Sequence, residues 1–82
     1  MNKVVAVRAE SEGRVFVEMA DGRRGLFDVR PYLRSEFFRE LESETYFRQV
    51  RIFFSGIGWP NGQDLGPDTI AADLVEMSAL AA

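Results

Sequence analysis

Residues 14–19, Arg-Val-Phe-Val-Glu-Met, alternate in character and run into Asp21-Gly22, after which residues 23–29 are again strand-like. Successive side chains of a strand point to opposite faces. Val15, Val17 and Met19 therefore share one face, and Arg14, Phe16 and Glu18 the other. Asp-Gly is a pair that a type I′ turn prefers, because both residues tolerate positive φ. Two strands joined this tightly must pair antiparallel, and the rest of the chain has to be arranged around that hairpin. Residues 3–9 are rich in β-branched side chains and predict a strand before it, across the polar loop Glu10-Ser11-Glu12-Gly13. The expectation is an antiparallel meander of three strands.

Beyond the meander the period changes. Pro31 suits a first helical turn, where its missing N–H costs nothing. Leu33, Phe37 and Leu41 recur at intervals of four with Phe38 alongside, while Arg34, Glu36, Arg39 and Glu40 take the other side. This spacing predicts one amphipathic helix over residues 31–42, with Leu33, Phe37 and Leu41 buried against the sheet. Ser43-Glu44-Thr45 ends it. Residues 49–54 predict a fourth strand, with Val50, Ile52 and Phe54 alternating against Arg51 and Phe53, and residues 57–59 a short fifth. Pro60-Asn61-Gly62 is turn chemistry. Gly66-Pro67-Asp68 then opens a second helix, predicted over residues 67–78 from Ile70, Leu74 and Met77. The Ala-rich residues 79–82 either continue it or fray. The fold class expected is α+β, in the order β-β-β-α-β-(β)-α. A small antiparallel sheet packs on one main helix, and residues 1–82 form a single domain.

Composition restricts the chemistry. The 82 residues include neither His nor Cys and a single lysine, Lys3. General acid–base and nucleophilic catalysis draw mostly on those side chains, and Ser55 has no evident base near it in sequence. The chain is therefore expected not to be an enzyme and to use no cofactor. The lack of Cys in so small a domain favours a reducing compartment. The N-terminus does not resemble a signal peptide, and no stretch is apolar enough to span a membrane. A soluble, cytoplasmic protein is expected. Residues 1–54 hold ten cations against nine acids, whereas residues 55–82 hold four acids and no cation, a segment that would repel phosphate.

Several short motifs together resemble a known family. They are Met19-Ala20-Asp21-Gly22, then Asp28-Val29-Arg30-Pro31-Tyr32-Leu33, then Tyr46-Phe47, then Ile57-Gly58-Trp59-Pro60-Asn61-Gly62-Gln63-Asp64-Leu65, and Pro67-Asp68. Their order is similar to that of a small bacterial family catalogued as a domain of unknown function, over residues 4–70. The resemblance implies an α+β fold with a small sheet. In that family some members carry a helix-turn-helix DNA-binding domain after the module. Others stand alone, sometimes encoded beside another small protein as toxin–antitoxin pairs are. On its length the present chain is expected not to carry a helix-turn-helix domain after the module. No catalytic residues are established for the family, so none is carried over.

Three constellations are candidates for function. Trp59 is either a core anchor for its turn, the commoner fate of a lone Trp, or an exposed hot spot of the kind Trp favours. Asn61, Gln63 and Asp64 around it offer a contact surface for a basic protein partner. Arg14, Arg23, Arg24 and Arg51 would form an alternative, a nucleic-acid-binding sheet face, although Glu10, Glu12, Glu18 and Asp28 are interspersed with them. Asp64, Asp68 and Asp73 fit no metal-binding loop and read as a turn cap and a helix-dipole partner, so no metal is expected. The leading expectation is a protein-interaction or regulatory accessory module. Its sheet edges are also such as dimerisation would cover.

Overall fold

The three β-rich segments pair as their patterns dictate. In the computed structural model, which describes residues 1–77, β1 (Val4–Ala9), β2 (Arg14–Met19) and β3 (Arg24–Asp28) form an antiparallel meander. Val15, Val17, Met19 and Phe27 are buried on its inner face. On the outer face Arg8, Phe16 and Leu26 lie in one cross-strand row, with the Arg8 guanidinium 4.2 Å from the centre of the Phe16 ring. The β2–β3 connection departs from the expected type I′ turn. Only Gly22 has positive φ, and Asp21 instead turns its carboxylate back onto the Arg23 N–H at 3.1 Å. That backbone N–H, with the Arg23 guanidinium beside it, holds the Asp21 carboxyl below the usual range. Consecutive left-handed residues occur in the other hairpin loop, at Glu12 and Gly13.

The expected helix over residues 31–42 is not one helix. Arg30–Arg34 and Phe37–Glu42 are separate 3₁₀ segments, divided at Ser35, whose ψ of 133° is extended. The bonds run from each N–H to the carbonyl three residues back, as from Phe38 to Ser35 and from Arg39 to Glu36. Bulky rings explain much of this. Tyr32 stacks between Phe27 and Phe38, with centroids 6.1 Å from each, so the inward positions follow a three-residue spacing that a 3₁₀ turn supplies. The four-residue stripe is thereby broken. Leu41 is buried and Leu33 half-buried, but Phe37 is 54% exposed, contrary to its expected place in the core. Ser43 does not simply end the segment. It caps a single α-helical turn, α1 (Glu44–Phe47).

The next three strands form a second sheet instead of extending the first. β4 (Arg51–Phe53), β5 (Gly56–Gly58) and β6 (Asp64–Leu65) are antiparallel in that order. β6 has no counterpart among the expected elements, and Asp64 is a strand residue, not a cap. The sheets join where the Val4 N–H donates to the Ser55 carbonyl at 2.9 Å. α2 (Pro67–Asp73) begins at the expected Pro but stops before residue 78. Leu74 turns extended, and β7 (Val75–Glu76) pairs with β3 instead. That pairing requires Gly25, where a Cβ would stand 1.9 Å from the Val75 carbonyl oxygen. The expectations for residues 78–82 lie outside the described residues. One core serves the whole: Val4, Val15, Val17, Met19 and Phe27 of the first sheet, with Val29 just after it, meet Leu41, Phe47, Ile57, Trp59, Leu65 and Ile70.

These positions separate two residues that the sequence pattern treats alike. Leu41→Ala is expected to cost about 2–5 kcal/mol by leaving a core cavity, and Phe37→Ala about 0.5 kcal/mol. Urea denaturation of both variants checks this; an equal loss would restore the single-helix packing.

Candidate interaction surface

The turn after β5 is held from inside. The Trp59 N–H bonds the Gln63 carbonyl at 2.9 Å and the Gly62 N–H bonds the Trp59 carbonyl at 3.1 Å, with Gly62 at φ 102°. The Trp59 side chain lies in the core, 3% exposed, packed on Phe47 with its Nε1 donating to the Phe47 carbonyl at 2.9 Å. Of the two fates open to it, the anchor is the one adopted. Gln63 is 1% exposed, which overturns its expected place on the rim. Its Nε2 donates to the Phe37 carbonyl and to Glu40 Oε1, both at 3.0 Å, and its Oε1 accepts the Tyr46 hydroxyl at 2.6 Å. The same hydroxyl accepts the Asn61 N–H at 2.8 Å, and the exposed Asn61 side chain donates to Glu40 Oε2 at 2.7 Å. Tyr46 and Glu40 thus complete a network that sequence spacing does not reveal. The i→i+3 and i→i+4 rules relate neighbours, whereas these partners are 15 to 23 positions apart. Asp64 is exposed in β6. Of the four residues expected to meet a partner, two are core and only Asn61 and Asp64 face solvent.

The four arginines of the nucleic-acid alternative are not brought onto one face. Arg14 is paired with Glu12, and Arg23 with Asp21 at 2.9 Å, its Nη2 also donating to Asn2 at 2.7 Å. Arg24 lies on β3 and Arg51 in the second sheet. Asp68 accepts from Asn2 at 3.0 Å in the first turn of α2. Among the described residues no three carboxylates converge to hold a metal ion, and no helix is long and apolar enough to cross a membrane. A cleft of about 370 Å³ opens beside Leu33, Leu41 and Phe47. Three of its rim carboxylates, Glu10, Glu12 and Glu44, are already paired with Arg8, Arg14 and Arg48.

A different surface stands out at the β4–β5 turn. Phe54 has φ 54°, a left-handed conformation that is an outlier for a bulky side chain. Its ring is 88% exposed and meets Phe53 edge-on at 4.6 Å between centroids. Phe53 covers Gly58, where a Cβ would stand 2.9 Å from the Phe53 Cβ. Ile52 and Phe53 are both well exposed, as is Val5 on β1, which runs alongside β4. The alternation expected over residues 49–54 therefore buries little, because β4 is an edge strand three residues long.

The network and the exposed rings separate by their effects on stability. Tyr46→Phe would leave the Asn61 N–H without its acceptor and remove the donor to Gln63 Oε1. The expected loss is about 1–3 kcal/mol, read by thermal melting. An unchanged melting temperature would mean that the buried amide does not depend on that hydroxyl.

Comparison with curated proteins and with solved structures finds no match. A family described as a protein of unknown function (DUF2442) matches residues 4–75, which span the meander, the 3₁₀ segments, the second sheet and β7's first residue. The chain belongs to the DUF2442 family.

Proposed function

We propose that this protein is a non-enzymatic protein-interaction module whose contact surface is the apolar tip of the second sheet, Ile52, Phe53 and Phe54 with Val5. The observation that carries the reading is Phe54. Left-handed backbone at a non-glycine residue costs on the order of 1–3 kcal/mol. The ring recovers little of that by burial, since it is 88% exposed; its aromatic neighbour is Phe53. Asn or Gly would serve the turn better, so stability alone does not account for a Phe there. Aromatic side chains are enriched at protein contacts because a rigid ring gives large area for little lost entropy.

The reading extends to a regulatory accessory role, such as one half of a two-protein pair of the toxin–antitoxin kind. Support for that finer statement is the absence of His and Cys and a contact surface on an otherwise ordinary scaffold. A cytoplasmic setting accords with the lack of cysteine.

The test uses Phe54→Asn, because Asn accepts left-handed geometry. The variant should melt no lower than wild type, with up to about 1 kcal/mol gained. Wild type immobilised in host lysate should retain a protein that Phe54→Asn loses. Retention of the same proteins by both, or of nucleic acid alone by wild type, would refute this reading.

A further inference from the structure

The chemistry of a binding partner is constrained by where the carboxylates are. Residues 45–63 carry Arg48 and Arg51 and no Asp or Glu, the longest acid-free run in the chain. Residues 1–9 carry Lys3 and Arg8 and are also free of acid. The fold sets these two runs side by side, joined by the bond from Val4 to Ser55. Arg51 and Phe53 share one face of β4, being two residues apart in a strand. Lys3 precedes the linking bond by one residue. Among the described residues, five of the arginines are in ion pairs, and neither Lys3 nor Arg51 is. Two carboxylates border this end without pairing with either cation: Asp68, which is engaged by Asn2, and the exposed Asp64, two strands from Arg51 in the row that Gly58 completes. In a protein of net charge −3, Phe53 and Phe54 thus stand beside two cations, Lys3 and Arg51, that no ion pair engages among the described residues.

Resting on the proposed protein-binding role, we infer that the tip of β4 receives an acidic, apolar segment of another protein. Its hydrophobic side chains would cover Phe53 and Phe54, and its carboxylates would meet Arg51 and Lys3. Complementary rim charge selects partners and speeds their encounter while the apolar centre supplies affinity. A second copy of this chain fits poorly. A two-fold contact places each patch against itself, bringing Arg51 and Lys3 towards their own counterparts. Phe53 and Phe54 together also expose only roughly 260 Å² of apolar surface, at on the order of 200 Å² per full ring. A stable dimer needs about 800 Å² per partner. Single-stranded nucleic acid fits less well too. Val5 and Ile52 offer it no stacking surface, and residues 55–82 carry four acids and no cation.

The experiment is an NMR titration of the ¹⁵N-labelled 82-residue chain with three synthetic peptides. The first is acetyl-Glu-Leu-Glu-Phe-Glu-Leu-Glu-amide; the others replace every Glu by Gln or by Lys. The Glu peptide should shift the amides of residues 3–5 and 51–55. At low salt it should bind about tenfold more tightly than the Gln peptide, and the Lys peptide should not bind. Added salt should narrow that gap. Arg51→Gln should weaken the Glu peptide severalfold, and Arg24→Gln should leave it unchanged. Equal binding of Glu and Gln peptides at residues 51–55 would overturn the acidic partner while leaving the protein-binding role intact. Preference for the Lys peptide, no binding by any of the three, or tighter binding of oligouridylate at the same residues would also overturn it. Capture that depends on Phe54 is read separately, so the two claims fail independently.

Discussion

The carboxamide of Gln63 donates to the Phe37 carbonyl and to Glu40, and accepts from Tyr46, in a site with almost no access to water. A buried amide is costly unless its hydrogen bonds are made, so these three contacts determine one another. In a continuous α-helix the Phe37 carbonyl would accept from the N–H four residues on. Here it accepts the Gln63 amide, and the segment around it is closed by three-residue bonds. The second 3₁₀ segment, α1 and the turn after Trp59 are thereby fastened together. Trp59 adds a bond from its indole to the Phe47 carbonyl. With those bonds in place, the helical connection and the second sheet close over the inner face of the meander as one core.

This division of labour explains why the most distinctive run of the sequence is inward-looking. Trp59 and Gln63 belong to the core, Gly62 supplies left-handed backbone, and Asn61 reaches back to Glu40. The surface features that stability does not require lie instead in a plainer stretch, Arg51 to Phe54. A ring held at positive φ and left in solvent is disfavoured twice, by backbone sterics and by hydration. Such residues persist at sites of function more often than at random surface positions.

Sequence pattern makes the meander legible because period-two alternation directly encodes which face is buried, as Val15, Val17 and Met19 show. It also locates Pro31, Pro67 and the turn at Pro60-Asn61-Gly62, where local backbone chemistry decides. It does not reveal the broken helix. Leu33, Phe37 and Leu41 have helical spacing, but stacking of Tyr32 between Phe27 and Phe38 and the claim of Gln63 on a carbonyl are long-range effects. β7 is hidden for the same reason. Leu74 and Met77 continue the period of α2, while the free edge of β3, opened by Gly25, draws the chain into a strand. Gln63 has the sequence context of an exposed residue because an amide after Asn-Gly in a turn usually is one; only its distant partners bring it inside.

The aromatic surface of this domain is at Phe54 and not at Trp59, and the placement of function depends on that difference. Hydroxyl-radical footprinting of the free protein tests it most directly, because indole is intrinsically the more reactive ring. Rapid labelling of Phe54 is expected, with weaker labelling of Phe53 and a Trp59 that stays protected until the protein is unfolded. A Trp59 labelled in the native state as fast as in urea, beside a protected Phe54, would contradict it.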